Sequence, residues 1–535
     1  MKDNSQSQYC GIVRILITKK ESLLLAGLAG LYAFTRLYNL RQLPIFLDEV
    51  THIQWSLNIW HAHGKEILSA LNQPLADGKL LQILLLSLVS PWASDPLLGS
   101  RFISVLAGTL SLWSCYAIGK RLYGVQVGLF SAWLYIVCPF ALFHDRLALA
   151  DSLLCAGTVF TLWAAIGMAQ DPSWRYCLAL SLSLALTPLV KATGVIVFVI
   201  PLLSCLLLAG PLKRSVQLWR RVSLAYAAAV ACIGAIYVSD YLLGAQEPLA
   251  GILSLTAFSG RLGVWGVLRS VWDHAALAGP WILAYFTPPI VVVGIVGLFV
   301  ALIRVDRKAL LLAWVAVGLF GSLLFLSDTM FPRYFLLITG PWIVLTAATV
   351  VQLSQVIARR MKLGRIAFAA VTTIFVALVC MPAIWLDYQV ITDIPNARLP
   401  DVDRFQYIEG WPSGYGVEEA ARFFKAEAER SPGGLIVVCS EYGGNSHAGL
   451  RMLLRREGKI RIEDFLVRGE DAFGRLERSA AKKPVYVVFE RPPLSWWAVE
   501  SQPDVTRLAT IAKRIEAYAK PAGKCTIEIY RVSLP

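Results

Sequence analysis

The chain has 535 residues, of which 56% are hydrophobic and only 16% charged; soluble domains carry about 25% charged residues, so an ordinary soluble protein is excluded. Apolar runs of roughly 18 residues or more recur along most of the length, the mark of a polytopic helical membrane protein. The net charge of +14 reads as basic loops held at a cytoplasmic face, and no basic patch interleaved with stacking aromatics points to nucleic acid.

The stretch "ITKKESLLLAGLAGLYAF" has the layout of a signal peptide, but many further spans follow, so it reads as an uncleaved first helix. Spans are expected near 21–40, 101–119, 125–143, 147–169, 176–190, 194–210, 222–243, 281–303, 309–327, 334–356 and 366–386. Residues 176–210 decide the parity. As one helix they would be about 52 Å long, against a bilayer core of about 30 Å. "TPLVKATG" interrupts them with Pro188, Lys191 and Gly194, so two short helices meeting at Lys191 are expected.

With that break, the basic clusters fall on one side: Lys19-Lys20, Lys120-Arg121, Arg175, Lys213 to Arg221, Arg304 to Lys308, and Arg359 to Arg365. The positive-inside rule makes that side cytoplasmic and sends the C-terminal part outside. A plasma membrane of a bacterium or archaeon is the default location. The expected division is a membrane domain over 1–386, with a first outer loop at 41–100, and an extracytoplasmic domain over 387–535. In the latter, strand-like "LIVVCS", "PVYVVFER" and "CTIEIYRVSL" with intervening helical patterns predict a small α/β fold. Ten cysteines and six histidines show no CxxC, CxxxC or HExxH spacing, so neither a zinc site nor a disulfide framework is indicated.

The outward side collects charged residues from loops far apart in sequence. Asp48, Glu49 and His52 follow the first span in "RQLPIFLDEVTHIQW". Lys79 precedes "LLQILLLSLVSPW", too short to cross and expected to lie along the membrane surface. "HDRLALAD" places His144, Asp145, Arg146 and Asp151 at the start of the fourth span; Lys191 sits at its turn, and "SDTMFPRYFLLITGP" brings Asp328, Arg333 and Tyr334. Such a set suits a lipid-linked phosphate: cations hold the phosphate and stabilise it as it leaves, while a carboxylate takes a proton from an acceptor hydroxyl.

"RLYNLRQLPIFLDEVTHIQW" resembles the first outer loop of the GT-C glycosyltransferases related to the protein O-mannosyltransferases and the bacterial lipid A aminoarabinose transferase (glycosyltransferase family 39/83-like). "GSRFISVLAGTLSLWSCYAIGKRLYG", "HDRLALADSLLCAGTVF" and "LALTPLVKATGVIVFVIP" resemble further landmarks of that family, in order, over roughly residues 20–350. The resemblance implies a GT-C fold of about eleven transmembrane helices and transfer of a sugar from a polyprenyl-phosphate donor to an acceptor on the outer face. On that model Asp48 is the general base, and Glu49 orients it or binds the acceptor. Arg146 and Lys191, with Lys79 and Arg333, engage the donor phosphate, while Asp151 and His52 position substrate. The resemblance leaves metal dependence open: Asp48, Glu49 and Asp151 are carboxylates that can hold a divalent cation, while the members it resembles more closely supply their cations from Arg and Lys. The sugar and the glycan, lipid or protein acceptor are not named by any of these motifs.

Plainer readings compete. Asp48-Glu49 suits the N-terminus of a helix starting near Val50, Arg146 and Asp151 suit a local ion pair, and Lys191 suits a snorkelling lysine. A secondary transporter or a non-catalytic binder of lipid-linked sugar are the alternative functions. A transporter would place its acids near the bilayer midplane on broken helices.

Overall fold

The computed structural model describes residues 3–64, 66–209, 212–242, 264–326, 329–439, 444–464, 472–491 and 505–533. It divides into two compact units: Met1–Leu40 with Trp55–Asp393, and Arg41–Gln54 with Ile394–Pro535. Asp328 lies outside the described residues, as does most of "SEYGGN".

The first unit is a helical bundle, and the chain is a multi-pass membrane protein. Among the described residues, seven helices are long and apolar enough to cross a membrane: Pro96–Tyr123, Ala150–Gln170, Val216–Ser239, Gly266–Arg304, Arg307–Phe325, Pro332–Arg360 and Ile366–Thr392. Shorter apolar segments are Val125–Ile136, Trp174–Val190 and Ala192–Leu208, and the chain enters through a helix at Asp3–Leu37. Burial orders them. The apolar windows of Ala150–Gln170 and Pro332–Arg360 are 78% and 89% buried, whereas those of Val216–Ser239 and Ile366–Thr392 are 22% and 17% buried. The first two therefore form the centre, and the last two present apolar faces outward, as helices at the lipid boundary do.

Three departures from straight helices trace to proline. The span expected at 125–143 is two helices, Val125–Ile136 and Pro139–His144, with Cys138 extended between them at φ −86°, ψ 114°. Proline disfavours a helical residue before it. Trp174–Val190 ends at Lys191, extended at φ −159°, ψ 136°, and continues as a 3-10 turn at Ala192–Phe198 and a helix at Val199–Leu208; this is the break that Pro188, Lys191 and Gly194 predict. Val264–Arg304 bends at Thr287, where φ is 63°, just before Pro288 and Pro289. The segment after Lys79, expected along the membrane surface, is a helix of eight residues, Leu80–Ser87, with one face buried at Leu80, Ile83 and Leu86.

The second unit is α/β. Strands β1 (Leu435–Cys439), β2 (Ile460–Asp464), β3 (Val485–Arg491), β4 (Ala512–Ala519) and β5 (Thr526–Val532) form one sheet in the order β2-β1-β3-β5-β4. The β1–β2 and β1–β3 pairs are parallel, the β3–β5 and β4–β5 pairs antiparallel. Both faces of β3 are buried by alternation: Tyr486 and Val488 join Phe424, Leu450 and Ile529 on one side, and Val485, Val487 and Phe489 join Leu476, Leu508 and Tyr530 on the other.

Candidate active site

In the first unit the two central helices and the Lys191 break bring one set of predicted residues together. Lys191 Nζ lies 2.7 Å from Asp151 Oδ1, and the same ammonium sits 4.0 Å from the centre of the Tyr334 ring. Asp151 belongs to the first turn of Ala150–Gln170, where a carboxylate also meets the positive end of the helix dipole. Arg333, buried, stacks its guanidinium over Phe331 at 4.7 Å and faces Tyr334 at 5.8 Å. His144 is buried within electrostatic reach of Asp151, Arg333 and Lys191. Its Nδ1 lies 3.0 Å from the Phe140 carbonyl, while Nε2 has no hydrogen-bond partner among the described residues.

The Lys79 turn reaches this cluster by backbone contact. Gly78 has φ +69°, and a Cβ there would lie only 2.8 Å from the Ala192 Cβ, so the turn carrying Lys79 packs against the residue after Lys191. Leu75, Leu80 and Leu189 seal the contact. Lys79 itself pairs with Asp77 at 2.6 Å and stays partly exposed. The cluster thus gathers Lys191, Arg333 and Asp151 around the Tyr334 ring. Two cations brought this close together are chemically suited to an anion.

Arg146 does something else. Its guanidinium donates to the carbonyls of Thr35 (2.8 Å), Tyr38 (2.9 Å) and Asn39 (2.9 Å). Arg101 donates to Leu40 O at 2.7 Å. Together they close the C-terminal end of Asp3–Leu37, where carbonyls lack intrahelical donors and Asn39 takes a left-handed φ of 50°. The local Arg146–Asp151 pair is therefore not formed: Asp151 pairs with Lys191. The neighbour of Arg146, Asp145, expected among the outward charges, instead forms a buried group with Arg36 and Tyr32 that was not expected. Arg36 and Asp145 are fully buried 3.6 Å apart, and Tyr32 donates to Asp145 at 3.1 Å. A lone arginine inside an apolar first span was the signal for it.

In the second unit, the helix carrying the Asp-Glu pair starts at Leu47, three residues earlier than expected. Glu49 is buried, and its Oε2 accepts from the Phe46 amide at 3.0 Å, the reciprocal half of a capping box. Asp48 is half-buried and adjacent to it in the same first turn. The capping reading of this pair thus holds for Glu49. His52, one turn on from Asp48, is buried. Among the described residues, no group of three or more His, Cys, Asp or Glu is arranged to hold a metal ion.

Residues 80–239 match the model of the dolichyl-phosphate-mannose-protein mannosyltransferase family. The structure is similar to ArnT from Cupriavidus metallidurans bound to undecaprenyl phosphate, with a TM-score of 0.57 and 13% identity, over 96% of this chain and 98% of that one. It is also similar to the archaeal oligosaccharyltransferase AglB from Archaeoglobus fulgidus, in complex with an inhibitory peptide and a dolichol-phosphate, with a TM-score of 0.53 and 12% identity over 95% of this chain and 74% of that one. No curated protein matches the sequence.

Proposed function

With the GT-C glycosyltransferase fold as the premise, we propose that the protein is an integral membrane glycosyltransferase that moves a sugar from a polyprenyl-phosphate donor to an acceptor on the extracytoplasmic face. The observation that carries this reading is the convergence of Asp151, Lys191 and Arg333 from three separate segments onto one cluster, Asp151 and Arg333 buried and Lys191 partly so, with the Lys79 turn packed beside it.

In the proposed reaction the acceptor nucleophile attacks the anomeric carbon of the donor sugar, with inversion. The bond from that carbon to the phosphate oxygen breaks, and polyprenyl phosphate leaves with the electron pair. Asp48 takes the proton of the nucleophile. Lys191 and Arg333 stabilise the charge that grows on the leaving phosphate, and Lys79 is the further cation within reach of the same turn. Asp151 holds Lys191 in place, and Glu49 keeps the first turn of its helix formed so that Asp48 is presented. Arg146 serves by closing the first helix. His52, one turn from Asp48, positions substrate.

The test is transfer by the purified protein from a panel of radiolabelled polyprenyl-phosphate sugars, with a membrane extract as acceptor source. Transfer or hydrolysis of one donor, lost in Asp48→Asn, is the expected result. A wild-type protein that binds and turns over none of the donors would sink the reading, and solute flux in liposomes would then test the transporter alternative.

A further inference from the structure

The Asp-Glu segment is held by the second unit through a short relay of buried polar groups. The Asn445 side-chain amide donates to the Ile45 carbonyl at 2.6 Å and to the Pro412 carbonyl at 3.1 Å. The Leu47 amide donates to the same Pro412 carbonyl at 3.0 Å. Phe46 packs its ring 4.6 Å from Tyr407, and Gly414 comes so close to the Ile45 carbonyl that a Cβ would collide with it. The three residues just before Asp48 are therefore fixed by side-chain, main-chain and ring contacts.

The loop that supplies Pro412 is itself anchored. Lys520, fully buried, donates to the carbonyls of Gly410 (3.0 Å) and Ser413 (2.8 Å). It pairs with buried Glu490 at 2.9 Å, and the other carboxylate oxygen of Glu490 accepts from the Ser446 amide at 3.0 Å, next to Asn445. Glu409, at the head of the loop, bridges Arg404 at 2.7 Å and Lys524. Burial opposes its charge, but hydrogen bonds from Lys524 and Arg404 outweigh that and hold its carboxyl below the usual range. Buried ion pairs of this kind add little net stability and are better explained by the geometry they impose.

We infer that Asn445 is a positioning residue for Asp48, and that the Lys520–Glu490 pair sets Asn445 and the 410–413 loop for that task. The C-terminal domain thereby has a role in turnover. The inference rests on the reading of Asp48 as general base. Loosening the lead-in at residues 45–47 displaces the carboxylate without touching the groups that bind the donor, so the loss falls on kcat. Misplacement by about 1 Å can cost about a hundredfold.

The test uses the full-length protein with the donor that the panel identifies. Asn445→Ala is expected to lower kcat by about tenfold to a hundredfold, with KM for the donor within about twofold of wild type. Hydrogen exchange should accelerate at residues 45–49 and stay unchanged in β1 and β3. Should Asn445→Ala fail to fold, Asn445→Ser and the paired Lys520→Met with Glu490→Gln are read in the same way. Wild-type kcat in a folded Asn445 variant overturns the inference, as does a KM that rises in step with a falling kcat. Full turnover by Asp48→Asn, measured separately, overturns instead the general-base reading beneath it.

Discussion

At Lys191 one ammonium has two uses, a structural pair with Asp151 and the proposed hold on a phosphate. The two are separable by mutation. Lys191→Met leaves the Asp151 carboxylate buried without its partner, and losing one member of a buried pair costs about 3–5 kcal/mol. Adding Asp151→Asn removes that charge, so the paired variant should regain most of the thermal midpoint. It should not regain donor binding. A paired variant that binds polyprenyl phosphate as well as wild type would show that Lys191 only locks the bundle. Arg146 shows why residue type and spacing are insufficient at this scale. A basic residue five positions before Asp151 fits a phosphate ligand and a local pair equally well in sequence, and only the position of carbonyls some 110 residues away reveals the helix end it closes.

Among the elements, the breaks matter more than the helices. The interruption at Lys191 was readable because Pro188 and Gly194 are helix breakers with known mechanisms. The Lys79 turn was not readable as its neighbour, since Gly78 signals a turn but not what packs on it. Gly78→Ala tests that contact. The left-handed φ alone costs about 1–2 kcal/mol for a residue with a side chain, and the clash with Ala192 adds to it. The expected result is a lower unfolding midpoint together with weaker donor binding; a lower midpoint with unchanged binding would separate the Lys79 turn from the phosphate. In the α/β unit β1, β3 and β5 stood out as apolar runs. The strands β2 and β4 read "IRIED" and "AKRIEAYA"; as the two edges of the sheet they are amphipathic or polar, and edge strands commonly carry charge.

For the whole molecule, the distribution of basic residues predicts which way the chain lies in the membrane. In a Cys232→Ser background, a cysteine introduced at exposed Arg430 in the second unit should react with a membrane-impermeant maleimide on intact cells. One introduced at exposed Arg304 should react only after lysis. The reverse pattern would invert the topology and place the proposed acceptor on the cytoplasmic side. The division of the chain also bears on function: residues 41–54 count with the C-terminal part, so the Asp-Glu segment belongs to the compact unit whose relay holds it.

The sequence by itself determined that this is a helical membrane protein with an appended α/β unit, because hydropathy, helix breakers and strand alternation are local properties that no tertiary contact has to supply. It also drew attention to the charges beside apolar spans, Asp151, Lys191 and Arg146 among them, since such charges are costly enough to need a partner or a task. Tertiary structure alone decided the partners. Which cation meets Asp151, what Arg146 closes, and that Asn445 holds a segment 400 residues upstream depend on hydrogen bonds between groups distant in the chain. Such bonds act over about 3 Å in space and leave no periodicity in sequence.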